Sequence, residues 1–237
     1  MVITWVSRAG GRSVNEDAVG KARQKGIVCI VVADGLGGHN GGQKASRLAV
    51  NSILESFNKN PGFSREHMEE YIEKAKADII EMAMKSPDFL HMSSTLALLL
   101  IKGKRAMWAT IGDTRLYRLS HGEIAEVSED HSIAFSDFAR GEIEYADIRK
   151  SHNQNKLTSA LGVAMDGVNY SDERRLDGSQ SFLLCTDGWW KYVTEDDVET
   201  TCKSSKGARK WLESMLDICE SKAPDDCDNY TAAVVTM

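Results

Sequence analysis

The run IVCIVVA at residues 27–33 does most to narrow what this chain can become. It holds seven consecutive apolar residues, mostly β-branched, which suits a strand covered on both faces better than a helix. The run ends abruptly on Asp34 and Gly35, which open a glycine-rich stretch reaching Gly42. A second run, FLLCT at 182–186, ends the same way, on Asp187 and Gly188. One Asp-Gly pair after a strand is ordinarily only a turn. Two, each after a buried run, draw attention to the carboxylates.

The remaining pattern supplies the partners such strands need. Residues 2–6 read as a further strand, and 43–57 as a helix with Ala45, Leu48, Ala49 and Ile53 on one stripe. Pro61 and Gly62 interrupt the chain, and Ser64 opens a second helix to about residue 85. Short strands follow at 95–101, 106–111, 115–119 and 123–127, separated by KGK, GDT and SHG turns. Residues 128–155 are polar with charges of both signs, the pattern of a flap or an inserted subdomain. A strand at 181–186, a helix at 206–219 and a closing strand at 230–236 complete the chain. Strands cluster with strands, and helices fall in separate groups, unlike the steady alternation of a parallel sheet. The expectation is an α+β fold in one domain spanning 1–237, with antiparallel sheets and helices packed outside them.

Charge and cysteine usage exclude several classes. With 29 basic and 35 acidic residues the formal charge is -6, which argues against a general nucleic-acid binder. Bound cations can still reverse the local sign at one site. The five cysteines are odd in number and show no CxxC spacing, so neither a disulfide scaffold nor a structural zinc site is expected. Cys29 and Cys185 lie inside apolar runs, as core thiols do. The first residues do not read as a signal peptide, and the longest apolar run, 96–101, is far too short to cross a bilayer. A cytoplasmic protein with no membrane partner is expected.

Placement of the acidic residues carries the chemistry. Besides Asp34 and Asp187, Asp113 sits in a turn between strands in IGDTR, and Asp228 precedes the last strand. Glu16 and Asp17 follow the first strand in RSVNED. Rigidly held carboxylates that converge repel one another unless cations lie between them. Oxygen donors without a histidine or thiolate cluster suit Mg²⁺ or Mn²⁺ rather than Zn²⁺. Two such ions about 3.5–4 Å apart can share a hydroxide nucleophile and clamp a phosphoryl group. A nucleotide cradle is poorly supported, because DGLGGHNGG lacks the lysine of a P-loop and the GxGxxG order.

The series RSVNED, VVADGLGGHNGG, STLALLLI, IGDTRLYRL, LTSALG, LLCTDGWW and CDNYTAAVV resembles the PP2C-type (PPM) protein phosphatases, of the bacterial stand-alone kind. All seven motifs stand in the family's order and together cover nearly the whole chain. The resemblance implies a four-layer α-β-β-α sandwich with the metal site at one end. It implies that Asp34 bridges two core Mn²⁺ or Mg²⁺ ions, that the Gly35 carbonyl ligates one, and that Asp187 and Asp228 complete its shell. Glu16 and Asp17 would serve the second ion, directly or through water, and Asp113 a weaker third. Arg12 would hold the substrate phosphate, and His39 would act as general acid on the leaving oxygen. His152, in the flap segment, either touches substrate or is a surface residue. Many members carry another aspartate where this sequence has Lys191. Either that lysine weakens a third metal site or it turns away beside Trp189 and Trp190.

The activity so implied is hydrolysis of phosphoserine and phosphothreonine on proteins by metal-activated water. The alternative is a catalytically inactive binding or scaffold module, whose mark would be degenerate metal aspartates. The implied partners are phosphoproteins of a serine/threonine kinase, for some members one beside a secretion system. A monomer is expected.

Overall fold

The computed structural model describes residues 1–37, 41–163 and 167–237. Its centre is β3 (Ile27–Leu36), which the sequence marks as buried on both faces. Alternate side chains go to different layers, as the pleat requires. Ile27, Cys29, Val31 and Ala33 meet helices α1 (Gly41–Lys59) and α2 (Arg65–Ala83). Val28, Ile30 and Val32 enter an apolar interior shared with a second sheet.

β3 pairs antiparallel with β2 (Asp17–Gln24) on one side and β5 (Leu96–Lys102) on the other. β6 (Arg105–Ile111) and the two-residue β10 (Arg174–Arg175) extend this sheet, while β4 (Ser93–Ser94) and β9 (Asn169–Tyr170) pair with β3 and β6. The second sheet has the order β1 (Val2–Arg8), β12 (Tyr230–Thr236), β11 (Gln180–Cys185), β7 (Arg115–Ser120), β8 (Glu123–Val127). Its inner residues Leu116, Phe182, Leu184, Ala233 and Val235 face the first sheet. Its outer residues Tyr117, Leu183, Cys185 and Val234 pack with Val198 of α5 (Glu195–Ser204) and with Trp211 and Met215 of α6 (Ala208–Lys222). The result is the expected α-β-β-α sandwich of two antiparallel sheets. All five cysteines are free, and Cys29 and Cys185 are core residues.

Local chemistry explains several boundaries. Ser64 caps α2, its Oγ accepting from the His67 backbone N–H. Thr194 and Asp197 form a reciprocal capping box on α5, a helix that apolar periodicity had not revealed. β2 also escaped the sequence reading: DAVGKARQ has small and charged residues because it is an edge strand, only partly buried. The polar segment 128–155 is not unstructured. It holds the short helix α3 (Ile133–Ala139) and a 3₁₀ turn at Tyr145–Lys150, where Ile148 is buried.

That segment is fastened by a buried ion pair. Arg115 on β7 donates Nε and Nη2 to Asp130 at 2.9 and 2.7 Å, and both side chains are 2% exposed. The guanidinium also stacks 3.8 Å above the Trp190 ring. Further along, Arg149 donates to the Trp190 carbonyl at 2.6 Å and pairs with Glu195. No helix among the described residues is long and apolar enough to cross a membrane.

The outer helical layer offers a direct check on this packing. Trp211 is 1% exposed and donates its indole N–H to the Val198 carbonyl at 3.2 Å. Trp211→Ala is expected to cost about 3–5 kcal/mol, read by urea denaturation, through lost burial and an unfilled cavity.

Candidate active site

The sandwich brings several chain segments to one end. β2 and β3 are antiparallel with Asp17 opposite Asp34, so these two carboxylates lie side by side. Asp113 occupies the turn between β6 and β7, and Asp187 opens the short helix α4 (Asp187–Trp190) directly after β11. Asp228 stands two residues before β12. Arg12, Glu16, Asp34, Gly35, Asp113, Asp187 and Asp228 line a single cavity of about 470 Å³, together with Asn155, Leu157 and Asn229. Asp17 lies behind them, 6% exposed.

Small polar side chains fix these positions. Thr95 Oγ1 accepts from the Asp34 backbone N–H at 2.9 Å and bonds Thr114 Oγ1 at 2.5 Å, joining the end of β3 to the Asp113 turn. Gly112 in that turn has φ +81°, and a Cβ there would approach Thr95 Cγ2 to 2.6 Å. The buried Asn229 accepts from the Glu16 N–H at 2.7 Å and donates to the carbonyls of Ala9 and Val14 at 2.7 and 3.0 Å. It thus pins the 9–16 loop against the start of β12. Glu16 lies beside the first turn of α1, where the helix dipole favours a carboxylate; a Cβ on Gly42 would stand 2.7 Å from its Oε1. Trp190 donates its indole N–H to the Asp113 carbonyl at 2.8 Å. Asn229, Thr95 and Asn155 were not singled out from sequence, since a lone Asn or Thr near a strand end is an ordinary turn residue. For Asn229 the available signal was its place inside the CDNY motif.

Burial and mutual repulsion give the site its electrostatic character. Asp34 is pushed well above the usual carboxylate range, first by burial and then by the charges of Asp17, Asp187, Asp113 and Asp228. Asp17 is pushed up to about 7 by burial and by Asp187, against the hydroxyls of Thr231 and Thr186. Asp113 is raised by burial, then by Asp187 and Asp130. Glu16 is raised chiefly by burial. Asp17 Oδ2 accepts from Thr186 Oγ1 at 2.9 Å, while its Oδ1 is buried with no hydrogen-bond partner among the described residues.

The chain's own cations answer part of this charge. Arg12, exposed at the rim, donates to Asp228 Oδ2 at 3.1 Å. Lys191 turns inward, its Nζ 2.5 Å from Asp187 Oδ2 and 3.1 Å from Asn155 Oδ1. His152, expected at the substrate, is exposed and lies outside the cavity lining, three residues before Asn155. His39 lies outside the described residues.

The donor set fits hard divalent ions: it is all oxygen, crowded with like charge, and holds an orphaned buried carboxylate oxygen on Asp17. Among the described residues no three acidic, histidine or cysteine side chains already form a closed cage.

A family model for Protein phosphatase 2C matches residues 7–223. The chain belongs to the protein phosphatase 2C family. Among relatives of this phosphatase 2C chain, the serine/threonine phosphatase stp of Listeria monocytogenes is 28% identical over 232 residues, covering 94% of this chain and 90% of that one. The serine/threonine protein phosphatase PstP of Mycobacterium tuberculosis is 26% identical over 188 residues, covering 79% and 36%. Two solved structures share the fold. Stp1 from Staphylococcus aureus superposes with a TM-score of 0.89 at 20% identity, covering 99% of this chain and 94% of that one. The catalytic domain of PstP in complex with two manganese ions gives 0.84 at 23%, covering 98% and 96%.

Gly35 tests how tightly the site is built. A Cβ there would lie 1.9 Å from the Gly42 carbonyl oxygen and 2.8 Å from that of Glu16. Gly35→Ala is expected to force β3 from the start of α1 and cost on the order of 1–3 kcal/mol in urea denaturation of the metal-free protein.

Proposed function

We propose that this phosphatase 2C chain hydrolyses phosphoserine and phosphothreonine on proteins with two Mn²⁺ or Mg²⁺ ions. The observation that carries the reading is the gathering of Glu16, Asp34, Asp113, Asp187 and Asp228 around one cavity, with Arg12 at its rim. The ions would be held by Asp34, the Gly35 carbonyl, Asp187 and Asp228 on one side and by Glu16 and Asp17 on the other. When bound they supply Lewis-acid activation of water and neutralise the phosphoryl oxygens.

The chain's own groups do the rest. Thr95 accepts from the Asp34 backbone N–H and Asn229 pins the 9–16 loop, so the segments that carry the carboxylates and Arg12 are held in place before substrate arrives. Arg12 is exposed enough to leave Asp228 for a phosphate, which its planar fork matches. Among the described residues that line the cavity there is no cysteine to serve as a thiol nucleophile, and the proposed course is direct displacement by water. His39 is the proposed donor of a proton to the departing serine or threonine oxygen. Segment 128–155, which ends on Asn155 at the cavity, is the proposed flap that selects among phosphoproteins of a cytoplasmic serine/threonine kinase.

Phosphate release from p-nitrophenyl phosphate and from phosphoserine and phosphothreonine peptides tests the reading. Activity is expected to require Mn²⁺ or Mg²⁺ and to vanish with a strong chelator. Asp34→Asn is expected to lower it by at least about 10²-fold, the scale on which loss of a preorganised electrostatic group acts. Activity that survives either treatment would sink the mechanism.

The role of His39 separates by leaving group. A p-nitrophenolate departs without a proton, whereas a serine alkoxide needs one. His39→Ala is therefore expected to slow phosphopeptide hydrolysis roughly 10²-fold and p-nitrophenyl phosphate hydrolysis much less. Equal losses on both substrates would exclude the general-acid assignment.

A further inference from the structure

Lys191 is the last residue one expects beside a metal-binding aspartate, yet its position leaves it little freedom. It follows the buried Trp189 and Trp190, and the Trp190 ring is fixed by the Asp113 carbonyl on its N–H and the Arg115 guanidinium on its face. One helical turn after Asp187, its backbone N–H donates to the Asp187 carbonyl at 3.0 Å. The side chain then runs back along that turn to Asp187 Oδ2, and both side chains are at most 13% exposed. Its other partner, Asn155, is where segment 128–155 meets the cavity.

We propose that Lys191 is a resident cation of the catalytic end, limiting the site to two divalent ions and tying the Asn155 end of segment 128–155 to Asp187. The inference rests on the phosphatase reading above. Six carboxylates gather at this end of the sandwich: Glu16, Asp17, Asp34, Asp113, Asp187 and Asp228. Lys191 already sets one positive charge against Asp187, so a further divalent ion drawing on the Asp187 side of the cavity would meet a fixed like charge there. Lys191 engages one Asp187 oxygen and leaves the other for an ion, so it works as an outer partner that orients a ligand. Through Asn155 it also fixes the substrate-facing edge of the cavity before any ion arrives. It is a positioning residue, not a catalytic one.

Titration calorimetry with Mn²⁺ at fixed ionic strength, on the full chain, tests the first half of the proposal. Wild type is expected to take up two ions, K191M two, and K191D three. The second half is read by hydrogen exchange of residues 150–158 in the metal-free protein. Exchange in K191M is expected to be roughly threefold faster than wild type, with the sheets unchanged, as fits loss of one partly buried pair. Three ions on wild type, no extra ion on K191D, or unchanged exchange in K191M would each overturn the proposal while leaving the phosphatase reading intact. A wild-type protein that takes up no divalent ion would instead overturn both.

Discussion

Two sheets share one apolar interior, and the site depends on that contact. Val28, Ile30 and Val32 of β3 interlock with Phe182, Leu184, Ala233 and Val235 of the opposite sheet. Because the interior is packed to near-crystalline density, strands cannot slide without opening voids. The ends of β3, β11 and β12 and the β6–β7 turn are thereby held at one edge, each with an aspartate on or beside it. Apolar packing thus opposes the mutual repulsion of these carboxylates, and Asp34 shows the strain as a carboxyl raised far from its ordinary range. A protein built only for stability would gain nothing from this arrangement. On the proposed reading, divalent ions would remove the conflict, and the rigid sandwich would hold the carboxylates for them.

Around this edge, neutral side chains provide the accuracy. Asn229 satisfies its amide fully, with one bond accepted and two donated, and in doing so joins the first loop to the last strand. Thr95 joins β3 to the Asp113 turn, and Thr186, the residue before Asp187, donates its hydroxyl to Asp17. Such bonds contribute modestly to stability, about 1 kcal/mol each. Their larger effect is directional, since each leaves one orientation open to the carboxylate beside it.

The Arg115–Asp130 pair extends the same logic to segment 128–155, whose Asn155 reaches the cavity. Its charges are removed from water, stacked on Trp190 and paired at two points, a geometry in which loss of either partner would strand the other. Trp190 in turn holds the Asp113 carbonyl, so the segment's base, the Asp113 turn and the position of Lys191 form one connected unit. Polarity in the sequence of 128–155 therefore signals neither disorder nor an independent body. It reflects a segment whose contacts are ion pairs and caps more than apolar packing.

Local chemistry made much of this legible. The β-branched runs, the glycine turns and the capping serine of α2 are short-range signals, so the main strands and helices, the α+β class and the strand-end aspartates could be read from sequence alone. The ordered motifs added the family and a role for each acidic residue. What stayed hidden depends on long-range contact. The edge strand β2 has no apolar pattern because one face is solvated, yet it places Asp17 opposite Asp34. Asn229 and Thr95 look like turn residues until partners over sixty positions away are brought to them. The direction of Lys191 was open in the sequence, between the metal site and the flanking tryptophans. Only the tertiary structure decided it, because Trp190 is consumed by Asp113 and Arg115 and the ammonium is left facing Asp187.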